Sequence, residues 1–82
     1  MIKVKYTSVL RRDIGREIDR IRAKSVSELI DKLIDLHGEV FKNTLPECSI
    51  FVNGSSTAYL DGLNTGLADG DEVIFMLPVA GG

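Results

Sequence analysis

The stretch "SVSELIDKLIDLH", Ser25 to His37, constrains the fold more than any other part of the chain. Val26, Leu29, Ile30, Leu33, Ile34 and His37 fall along one stripe at helical spacing, while Ser27, Glu28, Asp31, Lys32 and Asp35 face water. Ser25 followed by Glu28 is a capping-box pattern, in which each side chain can satisfy the other's free backbone N–H. Gly38 stands where a left-handed residue closes a helix. Such a helix must bury its stripe, and its surroundings read as strands. In "IKVKY", Ile2, Val4 and Tyr6 fall on one face and Lys3 and Lys5 on the other. Near the other end, Glu72 to Leu77 alternates Val73, Phe75 and Leu77 against Ile74 and Met76, and Pro78 ends it because proline cannot donate to a ladder. A chain of 82 residues has room for one domain with one modest core. The pattern therefore predicts a mixed sheet curled around a single main helix.

Between these anchors, "RRDIG" reads as a turn closed by Gly15. Arg16 to Lys24 is ambiguous. Ile14, Ile18 and Ile21 have helical spacing, but Glu17, Asp19, Ile21 and Ala23 could equally line one face of a strand. Two helices meeting without a loop would be awkward, so a strand leading straight into Ser25 is the more economical reading. Ile50 to Val52 is a short apolar run ended by the turn pair Asn53-Gly54. "TAYL" is a candidate short strand, and Asp69-Gly70 is the best hairpin-type turn in the glycine-rich segment that follows. The order is strand, turn, strand, helix, short strands, strand.

Composition excludes several functions. Ten basic against twelve acidic residues give no electrostatic case for nucleic acid. No apolar run is long enough to span a membrane. The alternating N-terminus is no signal peptide, and the single cysteine suits a reducing compartment, so a cytoplasmic location is expected. His37 and Cys48 lack metal-site spacing. His37 reads as a cation at the helix C-terminus facing its carbonyls, and Cys48 as a partly buried structural residue. Gly62, Gly66 and Gly70 do not have phosphate-loop spacing, and Asp69 and Asp71 read as solvated turn residues. Lys3 and Lys5 read as a protected outer face. Ile74 and Met76 share that face if the first and last strands pair, and an apolar patch there suggests a docking surface. The chain closes on "LPVAGG", two bare glycines directly after a strand; a frayed stub is the plain structural alternative.

"LADGDEVIFMLPVAGG", Leu67 to Gly82, resembles the C-terminal segment of the small subunit of molybdopterin synthase, the MoaD type of sulfur carrier within the MoaD/ThiS ubiquitin-like family. "IKVKYTSVLR" is similar to that family's first strand and its Leu-Arg, here Leu10-Arg11, "SVSELIDKL" to its helix, and "VNG" to its third strand. The resemblance implies an α+β, ubiquitin-like β-grasp fold, with about four to five strands wrapped on one main helix and Glu17 to Ala23 as the second strand. It also implies one sulfur-carrier domain over 1–82, with 78–82 a flexible tail. Gly82 would be the reactive residue. Its carboxylate would be adenylated with ATP by an E1-like activating enzyme of the MoeB type and converted to a thiocarboxylate. A large synthase subunit of the MoaE type would then bring that sulfur to a pterin precursor. Pro78, Val79, Ala80 and Gly81 would thread the partner's channel, where glycine lets the backbone approach closely. Ile74, Met76, Arg11 and Thr7 would bind partners. The chain would bind no cofactor or metal itself, would not be an enzyme, and would need no processing beyond Gly82. Leu77-Pro78 replaces the family's usual Pro-Pro, and Thr7 and Met76 stand where aromatic residues are frequent. Two alternatives remain open. One is a protein modifier joined through Gly82 to target lysines. The other is the thiamine-pathway carrier, against which Pro78 counts.

Overall fold

A computed structural model describes residues 1–77 of the chain. Five strands form one sheet in the order β2-β1-β5-β3-β4. They are β1 (Ile2–Tyr6), β2 (Ile18–Ile21), β3 (Ser49–Val52), β4 (Ser55–Ser56) and β5 (Glu72–Met76). The first and last strands lie side by side and parallel, with Val4 beside Val73 and Tyr6 beside Phe75. The outer pairs β1–β2, β3–β5 and β3–β4 are antiparallel. Three α-helices complete the fold: α1 (Ser8–Ile14), α2 (Val26–His37) and α3 (Glu39–Thr44). This is the ubiquitin-like β-grasp fold that the resemblance implies.

The main helix forms where its stripe demands. Val26, Leu29, Ile30 and Leu33 are buried against Ile2, Val4, Tyr6, Val73 and Phe75 from the inner face of the sheet. Ser25 Oγ accepts the backbone N–H of Glu28 at 3.1 Å. The box is only half closed, because the Glu28 carboxylate turns to Lys32 one helical turn on, at 3.4 Å. The N–H of Val26, the first helical residue, donates to the Thr65 carbonyl, so the loop before β5 helps to cap the helix. Gly38 has the expected positive φ of 71°, but its ψ of −145° lies outside the left-handed helical basin. The chain therefore bends there and enters α3, which carries the fully buried Phe41. That ring meets Phe75 edge-on, with centroids 5.2 Å apart.

Three sequence expectations are corrected. The segment read as a turn at "RRDIG" is the last part of α1, in which Leu10 is fully buried and Ile14 packs beside it one turn on. Gly15 closes it in the left-handed conformation, φ 84° and ψ 12°. Seven residues with three charges are too few for helical period to register in the sequence. The candidate strand "TAYL" is a tight helical turn over Thr57–Tyr59, because Ser56 Oγ accepts the Ala58 N–H and bends the chain out of the ladder. Asp69-Gly70 forms a turn, with Gly70 at φ 91°, but it leads into β5 rather than joining two paired strands. Asn53-Gly54 does join the β3–β4 hairpin, both residues having positive φ as a primed turn requires.

His37 is the fourth correction. It does not cap its own helix. Its Nε2 lies 2.7 Å from Asp19 Oδ2 on β2. An ionised carboxylate only accepts, so the ring nitrogen donates. Tyr6 donates its hydroxyl to the same oxygen at 2.8 Å, and Arg16 donates to Oδ1 at 2.6 Å. Asp19 is 5% exposed. Burial alone would raise its pKa, but the hydrogen bonds from Arg16, His37 and Tyr6 outweigh that and hold the carboxyl below its ordinary value. Burial pushes the Tyr6 hydroxyl up, and the Asp19 charge adds to it. Asp71 is likewise not a merely solvated turn residue. Its carboxylate accepts from Ala68 N–H and from Asn53 Nδ2, joining two turns, and these bonds hold its pKa down.

Two outcomes test these assignments. Ser25→Ala should lower stability by about 1 kcal/mol in denaturant unfolding, and an unchanged midpoint would place the helix start elsewhere. Asp19→Asn should destabilise the domain by about 3 kcal/mol at neutral pH, since it disrupts a buried, paired charge. Because the folded pKa of Asp19 lies below the unfolded value of about 3.9, its contribution is complete above that pH and declines as pH falls towards the folded pKa. The stability gap between wild type and variant should therefore narrow below about pH 4; a gap independent of pH would show that the charge contributes nothing.

Candidate functional site

The parallel pairing of β1 with β5 makes both strands finish at the same end of the sheet. There the Thr7 hydroxyl donates to the Phe75 carbonyl at 3.2 Å, tying the end of β1 to β5 just before Leu77. Thr7, expected as a partner-binding residue, thus has an internal bond and also precedes α1 as its N-terminal flank. The tail residues Pro78, Val79, Ala80, Gly81 and Gly82, with their expected flexibility, lie outside the described residues.

The outer face of the sheet is built by register. Side chains directly opposite one another share a face, so Ile18, Lys5, Ile74, Phe51 and Ser56 form one row across β2, β1, β5, β3 and β4. Ile74 sits half-buried between Lys5 and Phe51. Met76, 41% exposed, follows on the same face opposite Ser49. Lys3 reaches Glu72 across the β1–β5 seam at 3.7 Å. The two apolar residues of β5 expected to form a patch are therefore on one face, with a third, Phe51, beside them. Phe51 was legible in principle: once Ile50 and Val52 point inward, the residue between them points out. Sequence reading also passed over Tyr59, Leu60 and Leu63, all exposed, with Tyr59 at 89%. Their segment carries no period that marks it as a surface turn.

Arg11 is exposed on α1, one turn after Thr7, and lines an open cleft of about 460 Å³ with Arg12, Gly15, Arg16 and Glu17. Neither Ile74 nor Met76 lines it, so the four expected partner-binding residues do not make one continuous pocket. Cys48 is half-buried and points its thiol at the Thr44 carbonyl, and burial pushes its pKa up, which disfavours a nucleophilic thiolate. Asp19, His37 and Tyr6 have the residue types of an acid–base site, but they are directed at one another in the interior. Among the described residues no group of three or more His, Cys, Asp or Glu could hold a metal, and no helix is long and apolar enough to cross a membrane. The outer face presents an apolar strip of Ile74, Phe51 and Met76 beside the end of β5.

Known proteins share this body. A protein of Archaeoglobus fulgidus, whose name proposes a sulfur-carrier role, is 34% identical over 89 residues, covering 99% of this chain and 98% of its own. The solution structure of small archaeal modifier protein 1 from Methanosarcina acetivorans superposes with a TM-score of 0.89 at 26% identity, covering 99% of this chain and 95% of that one. A chain in the complex of subunits 1 and 2 of the molybdopterin-converting factor of Helicobacter pylori gives 0.70 at 32% identity, covering 99% and 97%. A sequence model of the ThiS family matches residues 4–82, from the first strand through the final glycine pair. The chain belongs to the ThiS family of ubiquitin-like sulfur-carrier proteins.

Proposed function

We propose that this protein carries sulfur on the carboxyl group of Gly82 and delivers it in the assembly of the molybdenum, or tungsten, cofactor. The observation that carries the reading is the pair Gly81-Gly82 placed five residues beyond a β-grasp core strand, inside a family match that runs to residue 82. The likeness to a subunit of a molybdopterin-converting factor favours a pterin precursor as the acceptor. In the first step a carboxylate oxygen of Gly82 attacks the α-phosphorus of ATP and pyrophosphate leaves. A sulfide-level sulfur nucleophile then attacks the acyl carbon of the adenylate, the bond to AMP breaks, and a thiocarboxylate remains. An E1-like activating enzyme and a large synthase subunit supply the acids, bases and ATP site. The chain supplies the acyl group, a glycine pair that fits a narrow channel, and the outer face around Ile74, Met76 and Phe51 for docking. The likeness to an archaeal modifier protein supports a second reading, in which the activated Gly82 is joined to lysines of target proteins.

Three tail variants test the first reading: deletion of Gly82, Gly81→Ile, and one alanine added after Gly82. None alters a core residue, so each should unfold at the wild-type midpoint. Each should fail to support ATP–pyrophosphate exchange on the activating enzyme; a deletion variant adenylated as well as the parent overturns the proposal. In protein isolated from its native cells, intact mass should reveal one oxygen replaced by sulfur, whereas peptides branched from Gly82 onto lysine would favour the modifier.

Docking has its own test. Met76→Arg should weaken binding to the activating enzyme or the large subunit roughly tenfold or more, because an unpaired charge enters the interface. Thermal stability should be unchanged, since Met76 is exposed in the free protein. Lost stability with unchanged affinity would assign Met76 to the core instead.

A further inference from the structure

The strand β2 lies at one edge of the sheet, and among the described residues nothing pairs with its outer side. Which of its groups face outward follows from the ladder. Tyr6 N–H bonds the Glu17 carbonyl, so the inward-bonded positions of β2 are Glu17, Asp19 and Ile21, opposite Tyr6, Val4 and Ile2. The N–H and C=O of Ile18 and Arg20, and the N–H of Arg22, therefore point away from the sheet. The Arg22 carbonyl is already taken by the Lys32 ammonium of α2, which closes the far end of this open edge.

Exposed cations outnumber exposed carboxylates along the edge. Arg20, Arg22 and Lys24 are all exposed, and among the described residues none of them makes an ion pair. Two of the acids on β2 and α2 are occupied: Asp19 by Arg16 and His37, and Glu28 by Lys32. Glu17 at the start of the strand, and Asp31 and Asp35 on α2, are exposed carboxylates that make no ion pair among the described residues, but along residues 17–24 three exposed cations stand against the one exposed carboxylate of Glu17. This is a local excess of cations in a chain whose net charge is −2. Such an edge resists pairing with a second copy of itself, because like charges would stand opposite each other. The same charges favour an extended chain rich in carboxylates.

We infer that the β2 edge is a docking site for an extended, acidic segment of a partner protein, which adds to the sheet as a sixth strand through the main-chain groups of Ile18, Arg20 and Arg22. Carboxylates of the bound strand that alternate onto the outer face meet Arg20 and Arg22, and its other side chains turn towards Ile21 and α2. β1 separates this edge from β5, so an added strand leaves the Ile74 and Met76 face free. The site does not depend on which group Gly82 carries.

The test uses the whole chain and a capped synthetic peptide that alternates valine with glutamate. The amide resonances of Ile18, Arg20 and Arg22 should shift on titration, and their hydrogen exchange should slow. Arg20→Glu with Arg22→Glu should weaken binding at least tenfold while leaving the unfolding midpoint in place, since both side chains are exposed. The same peptide N-methylated at alternate amides, which keeps its charge but cannot form the ladder, should also lose at least tenfold. Absence of saturable binding, shifts confined to the face around Ile74, or equal binding of the N-methylated peptide would each overturn the inference. So would tighter binding of a heparin oligosaccharide than of the peptide at this edge, which would make it a general polyanion patch.

Discussion

The parallel contact between β1 and β5 is the constraint on which the rest of the molecule depends. Parallel neighbours cannot be joined by a tight turn, so everything between Tyr6 and Glu72 serves as one long connection between them. That connection contains the main helix, which crosses the inner face and supplies the apolar stripe that both strands need. Because the first and last strands occupy the middle of the sheet, their inner residues Val4, Tyr6, Val73 and Phe75 are among the most deeply buried in the chain. The end of β5 is thereby held by partners on both sides, β1 and β3, and by the Thr7 hydroxyl.

Asp19 secures the other end of the arrangement. A carboxylate at this depth is costly unless every oxygen is supplied with donors. Here the donors come from three separate elements: Tyr6 of β1, Arg16 of the loop before β2, and His37 at the end of α2. The ion therefore fixes where the last turn of the helix sits against the first two strands, a register that apolar contacts alone would leave looser. Tyr6 joins this polar cluster to the aromatic one, since its ring stacks near Phe75, which in turn meets Phe41. The rigidity of the body around the end of β5 thus combines a non-directional core with a directional ionic contact.

The surfaces left over divide by chemistry. The outer face over β5 and β3 is apolar at Ile74, Phe51 and Met76, while the β2 edge is cationic and has open main-chain groups. The intervening β1 carries Lys3 and Lys5 on its outer face and keeps the two regions distinct.

Much of this was determined by local sequence. The stripe and Ser25 cap of α2, the alternation of β1 and β5, and the Asn53-Gly54 turn each encode their information within a few neighbouring residues, where period and turn chemistry act directly. Only the tertiary structure decided the rest. It turned "SVLRRDI" into a helix because Leu10 and Ile14 found the core, recruited Phe41 through a bend at Gly38, and drew the bounds of the expected second strand in to Ile18–Ile21, the stretch that β1 pairs. It also took His37 from its own helix end to Asp19, eighteen residues away in the chain. The physical reason is common to all of these. A short segment with weak periodicity takes the conformation that its long-range partners reward, and a buried charge is tolerable only where the fold gathers its donors.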